Sequence, residues 1–406
     1  MKNVPKLRFK EFSGEWEKRK LQDFVDYVKG FAFRSDDYQD VGVRIIRVSD
    51  LGSSSIKESG DKVFIDQSLL SNFKKYIINR SDIIITTVGS KPELIDSAVG
   101  RGILVKIDNE GLLNQNLLKI NNSYKCNNVF LFGYINSYKY KNHIKNIQRG
   151  NANQSNIALS DLFEYIVYLP TLPEQTKIAT FLTAIDDRIT QLTQKVNGLE
   201  QYKKAVMQQI FSQKLRFKDE NGRAFESWEE KRLADVAKIN PKANFLPNEF
   251  IYIDLESVEK GVIIKEKFIT KNESPSRAQR LLSKGDILFQ LVRPYQGNNL
   301  FFNKDGIYVA STGYAQIRTN QNPNFIYYCL HLNDFNIEVM SRCTGTGYPS
   351  INSNDLADIV IKIPSPPEQE KIAGFLAAVD DKIAVAKAKL EAVRQYKQGL
   401  LQQMFI

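Results

Sequence analysis

Apolar residues recur at alternating steps of four and three along two separate stretches of the chain. The first runs Ile178, Leu182, Ile185, Ile189, Leu192, Val196, Leu199, Lys203, Val206, Ile210, and the second Ile372, Leu376, Val379, Ile383, Ala386, Leu390, Val393, Lys397, Leu400, Met404. A 3.5-residue period held this long predicts a coiled-coil seam, on helices of roughly 55 Å at 1.5 Å per residue. Pro173 and Pro367 suit a first helical turn, and Glu174 and Glu368 suit the positive end of the helix dipole. Neither stripe can be buried by a lone helix, so each helix is the obvious partner of the other. The competing reading is two long amphipathic helices within a globular core. Gly198, Gly374 and Gly399 count mildly against an ideal rod.

The two stretches are copies. Pro173–Phe211 and Pro367–Phe405 align without a gap, with 19 of 39 positions identical. Identity extends off the seam: Asp186, Asp187, Gln201, Tyr202, Gln208 and Gln209 match Asp380, Asp381, Gln395, Tyr396, Gln402 and Gln403. Seam packing does not require these residues. A partner binding an equivalent face on each copy would, and recent duplication is the alternative. Lys203 and Lys397 share one seam slot, where they either fix register or snorkel to solvent; snorkelling is the favoured expectation.

A second repeat is cut by the ends of the sequence. Lys214-Leu215-Arg216-Phe217-Lys218, then Trp228, follows the first helix, whereas Lys6-Leu7-Arg8-Phe9-Lys10, then Trp16, stands near the N-terminus. The expectation is a circular, pseudo-two-fold arrangement. It has antiparallel helices, one globular domain at each end, and the tryptophans as packing anchors. The domains are then 1–172 (lead segment 1–16) and 213–366 (lead segment 213–228), with helices at 173–212 and 367–406. Strand-like runs at 43–48, 83–88, 250–255 and 287–292, broken by turns, predict mixed α/β domains with largely antiparallel sheets, an α+β fold.

Charge sharpens this picture. The net charge of +10 favours a nucleic-acid or acidic-surface partner. From Gly111 to Ser160 there are six Lys or Arg and no Asp or Glu, a candidate phosphate-facing stretch or a solvated surface. Each domain ends in a polar loop, 150–157 and 345–352. Asn and Gln can pair with adenine edges, and Arg or Lys with guanine, although Gly, Asn, Ser and Pro also simply make turns. The candidate DNA contacts are Arg34, Arg44, Arg47, Lys91, Arg101, Arg149, Asn151, Asn153, Gln154 and Ser155 in the first domain. In the second they are Arg277, Arg280, Arg293, Tyr295, Gln296, Arg342, Thr344, Thr346, Tyr348 and Ser350. The helix residues conserved off the seam are the candidate partner contacts.

Catalytic signatures are missing: no GxxxxGK[ST], no GxGxxG after a strand, no HExxH and no GxSxG. Neighbours on a helix face different ways, so Asp186-Asp187 is a poor acid pair. Three cysteines without a CxxC, and two histidines, argue against a structural zinc and fit a reducing cytoplasm. No run of 18 apolar residues suggests a membrane span.

The chain resembles the specificity subunit of type I restriction–modification systems. The resemblance rests on Pro173-Glu174-Gln175 and Pro367-Glu368-Gln369 opening the repeated helices. It rests also on Gly30-Phe31-Ala32-Phe33-Arg34-Ser35, on Gly285-Asp286-Ile287-Leu288 with Val292-Arg293-Pro294-Tyr295, and on Gly345-Thr346-Gly347-Tyr348-Pro349-Ser350-Ile351. It implies two target recognition domains, each reading half of a split, asymmetric DNA site, with the helices setting the gap. It implies two docked methylation subunits carrying S-adenosylmethionine, and motor–nuclease subunits using ATP and Mg, with no cofactor or catalysis in this chain. The first domain departs from the pattern, with Gln154-Ser155-Asn156 where the second has Tyr348-Pro349-Ser350. A coiled-coil adaptor without a DNA role, and a single-chain restriction–methylation enzyme, are the competing readings.

Overall fold

The computed structural model describes residues 3–52, 55–58, 60–90, 99–120, 126–151, 154–243 and 245–406. The chain forms two compact units: Met1–Thr193 with Ala388–Ile406, and Gln194–Lys387. The long helices span Leu172–Phe211 and Pro366–Met404, and the unit boundary crosses both. Every apolar seam position is buried or half-buried. In unit 1, Ile178, Leu182 and Ile185 from the start of the first helix join one core with Leu400, Met404 and Phe405 from the end of the second. In unit 2, Val206 and Ile210 join Ile372 and Leu376. Within each unit the helices therefore pack antiparallel.

The seam lysines do not snorkel. Lys203 Nζ lies 2.6 Å from Asp380 in unit 2, and Lys397 Nζ lies 2.5 Å from Asp186 in unit 1. Both lysine side chains are half-buried, and a carboxylate on the facing helix compensates each ammonium.

Each unit carries the same two sheets although their sequences differ. In unit 1 an antiparallel sheet runs Tyr27–Lys29, Leu117–Ile120, Ile83–Thr86, Gly102–Leu104; in unit 2 its counterpart runs Ala237–Ile239, Tyr314–Thr319, Ile287–Gln290, Leu300–Phe301. A second sheet runs Val63–Ile65, Val43–Ile46, Gly111–Leu113, Ile77–Ile78 in unit 1. Its counterpart runs Lys267–Thr270, Glu249–Ile253, Tyr308–Ser311, Ala278–Leu281. Each second sheet contains one parallel pair, Val43–Ile46 with Gly111–Leu113 and Glu249–Ile253 with Tyr308–Ser311. The expected largely antiparallel α+β architecture is what forms.

Matched polar groups lock the helix starts. Glu174 and Glu368 are 1% and 0% exposed. Arg8 donates to both oxygens of Glu174, and Trp16 Nε1 adds a third bond at 3.3 Å. Arg216 and Trp228 repeat this at Glu368. A buried carboxylate is tolerable only when paired and hydrogen-bonded in this way. The neighbouring Gln175 donates to Pro170 O and accepts from Asn127 N–H, and Gln369 does the same with Pro364 O and Asn322 N–H. Asn127 and Asn322 in turn cap the helices Asn128–Ile135 and Pro323–Cys329. The Pro-Glu-Gln signature is thus a joint between long helix, lead segment and recognition domain.

The lead segments complete the circular pattern. Leu7 N–H donates to Gln403 O at 2.9 Å in unit 1, as Leu215 N–H donates to Gln209 O at 3.0 Å in unit 2. Phe405 packs on Phe130 where Phe211 packs on Phe325. Both tryptophans are packing residues, edge-on to Phe130 and Phe325.

Candidate nucleic-acid interface

In unit 2 two loops meet at the end of the strand Ile287–Gln290. Val292 bridges to Ser350 and Thr344 to Ser350, and Arg293 N–H donates to Pro349 O at 2.7 Å. The Arg293 guanidinium carbon sits 4.1 Å from the Tyr348 ring centroid. Tyr295 and Tyr348 are 59% and 68% exposed. Buried Gln290 braces the loop from below: it donates to Val292 O and Gln296 Oε1 and accepts from Asn298 N–H. Positive φ at Gly297 and Gly345 turns the two loops. Thr346 is exposed. Arg277 reaches this edge through backbone, its carbonyl accepting from Thr312 N–H while Gly313 O accepts from Leu291 N–H. Arg280 lies on Ala278–Leu281, with Nε buried and unpartnered; burial pushes its pKa down. Arg342 is engaged by Glu338 and Asp355 O.

Unit 1 builds the same meeting point with a hairpin. Arg149–Asn151 pairs with Gln154–Asn156, which pairs with Val88–Gly89. The Asn156–Val88 pair matches the Ser350–Val292 bridge, so Gly89 and Gln154 take the places of Arg293 and Tyr348. Gly150 has φ +114° and a Cβ there would lie 2.4 Å from Gln154 O, so this tight turn requires glycine. Gln154 is exposed and Ser155 buried. Lys91 and Asn153 lie outside the described residues, and of Asn151 only the backbone is described.

Several candidate arginines have partners within the fold. Arg44 donates to Lys57 O, Arg47 bonds Asp50 and Asp61 O, and Arg101 bonds Leu51 O. Arg149 pairs with Asp161 at 2.7 Å on the surface, and Arg34 lies 3.7 Å from Asp36 with both exposed.

The acid-free stretch divides into two parts. Lys119 is 6% exposed, beside Asp82 and Ile77 O. It therefore cannot face phosphate: its strand is buried on both faces, and Asp82 and the carbonyl draw it inward. Arg318 plays the same part at Asp286 in unit 2, where the carboxylate also caps its turn through Ser283 N–H. The helix Tyr138–Ile147, however, exposes Lys139, Lys141 and Lys145 and leads straight into the hairpin at Arg149. Its counterpart, Asn333–Ser341, carries Asp334 and Glu338 instead. Sequence counting found the cationic stretch; the strand-versus-helix placement that sorts its lysines came only with the fold.

The long helices present a second surface. Asp186 and Asp380 are engaged by the seam lysines. Asp187, Gln201, Tyr202, Gln208, Gln209, Asp381, Gln395, Tyr396, Gln402 and Gln403 are all exposed, and Tyr202 and Tyr396 are 49% and 56% so. Burial raises the Cys126 thiol to about 12 and raises Cys329 as well, so neither is a ready nucleophile. No helix among the described residues is long and apolar enough to cross a membrane.

Comparison with known proteins bears directly on this geometry. The family described as type I restriction modification DNA specificity domain matches residues 13–201 and 226–395. The chain is 24% identical to the putative type I restriction enzyme MjaX specificity subunit of Methanocaldococcus jannaschii, over 98% of this chain and 95% of that protein. It is 25% identical to the MjaVIII specificity subunit of the same organism, over 97% and 94%. The fold matches the crystal structure of a type I restriction-modification S subunit from M. genitalium at TM-score 0.63, with 17% identity and 99% of both chains covered. A chain from a structure of type I system assembly and conformational transition aligns at TM-score 0.53, with 17% identity and coverage of 96% and 97%.

Proposed function

Because this chain belongs to the type I restriction modification DNA specificity family, we propose that it is the address reader and assembly frame of a restriction–modification complex. The chain is a specificity subunit with two target recognition domains. Each unit reads one half of a bipartite, asymmetric double-stranded DNA site. The long helices set the spacer and dock two methylation subunits, which bring S-adenosylmethionine; restriction subunits bring ATP- and Mg-dependent chemistry. This chain contributes recognition rather than catalysis, and it works in the cytoplasm.

One observation carries this reading. Two units share sheet topology and helix joints while differing at the loops that meet on one edge. A common frame with different Gly89/Gln154 and Arg293/Tyr348 corners suits two different half-sites. The exposed helix residues that repeat between copies suit two copies of one partner, since equal surfaces bind equal subunits. Lys139 and Lys141 supply backbone-positioning charge beside the unit 1 hairpin.

Co-expression with a cognate methylation subunit, followed by genome-wide mapping of N6-methyladenine, tests the proposal. A single split motif is the expected result. A soluble complex that methylates nothing, from a methylation subunit active with another specificity chain, would overturn it in favour of a scaffold without a DNA role.

A further inference from the structure

Arg293 occupies the left-handed region, with φ +54° and ψ +54°, immediately before Pro294. Positive φ crowds a Cβ, and the residue preceding proline is ordinarily driven to extended backbone. Such strain persists where the surroundings over-determine it, and it concentrates at ligand-binding positions. Here the 2.7 Å bond to Pro349 O and the Val292–Ser350 bridge hold the backbone in place. The result is a guanidinium laid on the exposed Tyr348 ring.

The guanidinium is also unspent. Its nitrogens donate no hydrogen bond to any described residue, and its Nε is closed off inside the loop. Among the described residues no carboxylate lies within 4 Å of it, in contrast to Arg47, Arg149, Arg318 and Arg342. A guanidinium without an acceptor in an otherwise well-bonded loop leaves the outer N–H groups of its fork for a ligand.

We propose that Arg293 is the guanine reader of unit 2. Held against Tyr348, its planar fork donates two parallel hydrogen bonds to O6 and N7 of one guanine in the major groove. This deepens the DNA-reading function above and rests on it. A bidentate fork fits two phosphate oxygens as well as guanine, and the salt slope of binding separates the two. A fork fixed by stacking and a strained backbone, on the loop corner that differs between the two units, is pre-organised for a base edge. Unit 1 has Gly89 and Gln154 at the matching positions, so this Arg-on-Tyr reader belongs to unit 2.

Arg293→Gly tests this without threatening the fold, because glycine accepts φ +54°; its melting temperature should be no lower than the parent's. Arg293→Lys keeps the charge and loses the fork. The full chain, alone and with a co-expressed methylation subunit, selects from a randomised duplex pool, and bound sequences are counted. In the parent, one position of one half is guanine. In both variants that position becomes permissive, with about tenfold or greater loss of discrimination, while the rest of the word stands. Tyr348→Ala weakens the same position. A variant word that keeps its guanine overturns the proposal. So does a uniform loss across all sequences with a shallower salt slope, which assigns Arg293 to a phosphate. A parent that selects no split word at all removes the DNA-reading function itself, and this inference with it.

Discussion

Arg216 donates to both carboxylate oxygens of Glu368, at 3.1 and 2.7 Å, across 152 residues of sequence. Glu368 is fully buried, and this pairing also raises the pKa of Arg216. Breaking such a pair leaves a charge without compensation. Arg216→Ala should cost roughly 3 kcal/mol of unfolding free energy, read from urea denaturation. Trp228 is the remaining donor to Glu368, so adding Glu368→Gln should recover part of the loss. A double-mutant cycle with no coupling would show that the clamp is incidental.

Lys203 tests what fixes the helix register. The pair with Asp380 is partly exposed, so its coupling is expected at about 1 kcal/mol or below, and Lys203→Leu should leave unit 2 folded. The expected change is in specificity of pairing rather than strength. Disulfide trapping between cysteines placed on the facing helices should report a single register in the parent and slipped registers in a Lys203→Leu/Lys397→Leu chain.

The basic helix of unit 1 offers a salt test. Lys139→Glu with Lys141→Glu should weaken binding nearly equally for all sequences. It should also lower the slope of log affinity against log salt by about one per lysine engaged with phosphate. Binding titrations at several salt concentrations measure this. An unchanged slope would mean that the face is only solvated. Charge on the counterpart helix should matter less, since Asp334 and Glu338 already make it acidic.

His331 gives unit 2 a pH dependence of known sign. Burial lowers its pKa from the usual 6.5, Lys203 pushes in the same direction, and the Tyr327 carbonyl and Asp380 oppose. The folded state therefore binds fewer protons than the unfolded state below about pH 6.5. Stability is fully present above that pH and falls as pH drops through 6.5 toward the lowered folded value. Urea midpoints between pH 7 and pH 5 should fall less steeply in His331→Gln than in the parent. His143, also lowered by burial, keeps some slope in unit 1.

Lengthening the helices tests the spacer. One heptad inserted at matching levels of both long helices preserves the seam phase. It should lengthen the gap between half-sites, or abolish binding, while leaving each half-word unchanged. Methylation mapping reads both properties, and recovery of the original spacer would remove the helices from that role.

The long helices were readable in the sequence because a period is a local property, and their antiparallel pairing followed from the circular repeat. The Arg-Glu-Trp clamp was visible only as repeated residue types; nothing in the spacing of Arg8, Trp16 and Glu174 says that they meet. Lys119 shows why charge counting fails, since a strand buried on both faces turns a surface signal into an internal ion pair with Asp82. Arg47 and Asp50, three residues apart, were a detectable local pair, which marks Arg47 as a structural arginine before any DNA role is considered. The left-handed backbone of Arg293 had no sequence signal, because it is imposed by the loop at Pro349.

Unit 1 is closed by residues 388–406, whose Leu400, Met404 and Phe405 complete a core otherwise drawn from Met1–Thr193. Synthesis proceeds from the other end. The first recognition domain to leave the ribosome must wait for the remainder of the chain, its apolar seat for Phe405 unfilled, while unit 2 already has all its parts. The domain made first is therefore finished last, and in that interval it is the one that depends on protection from aggregation.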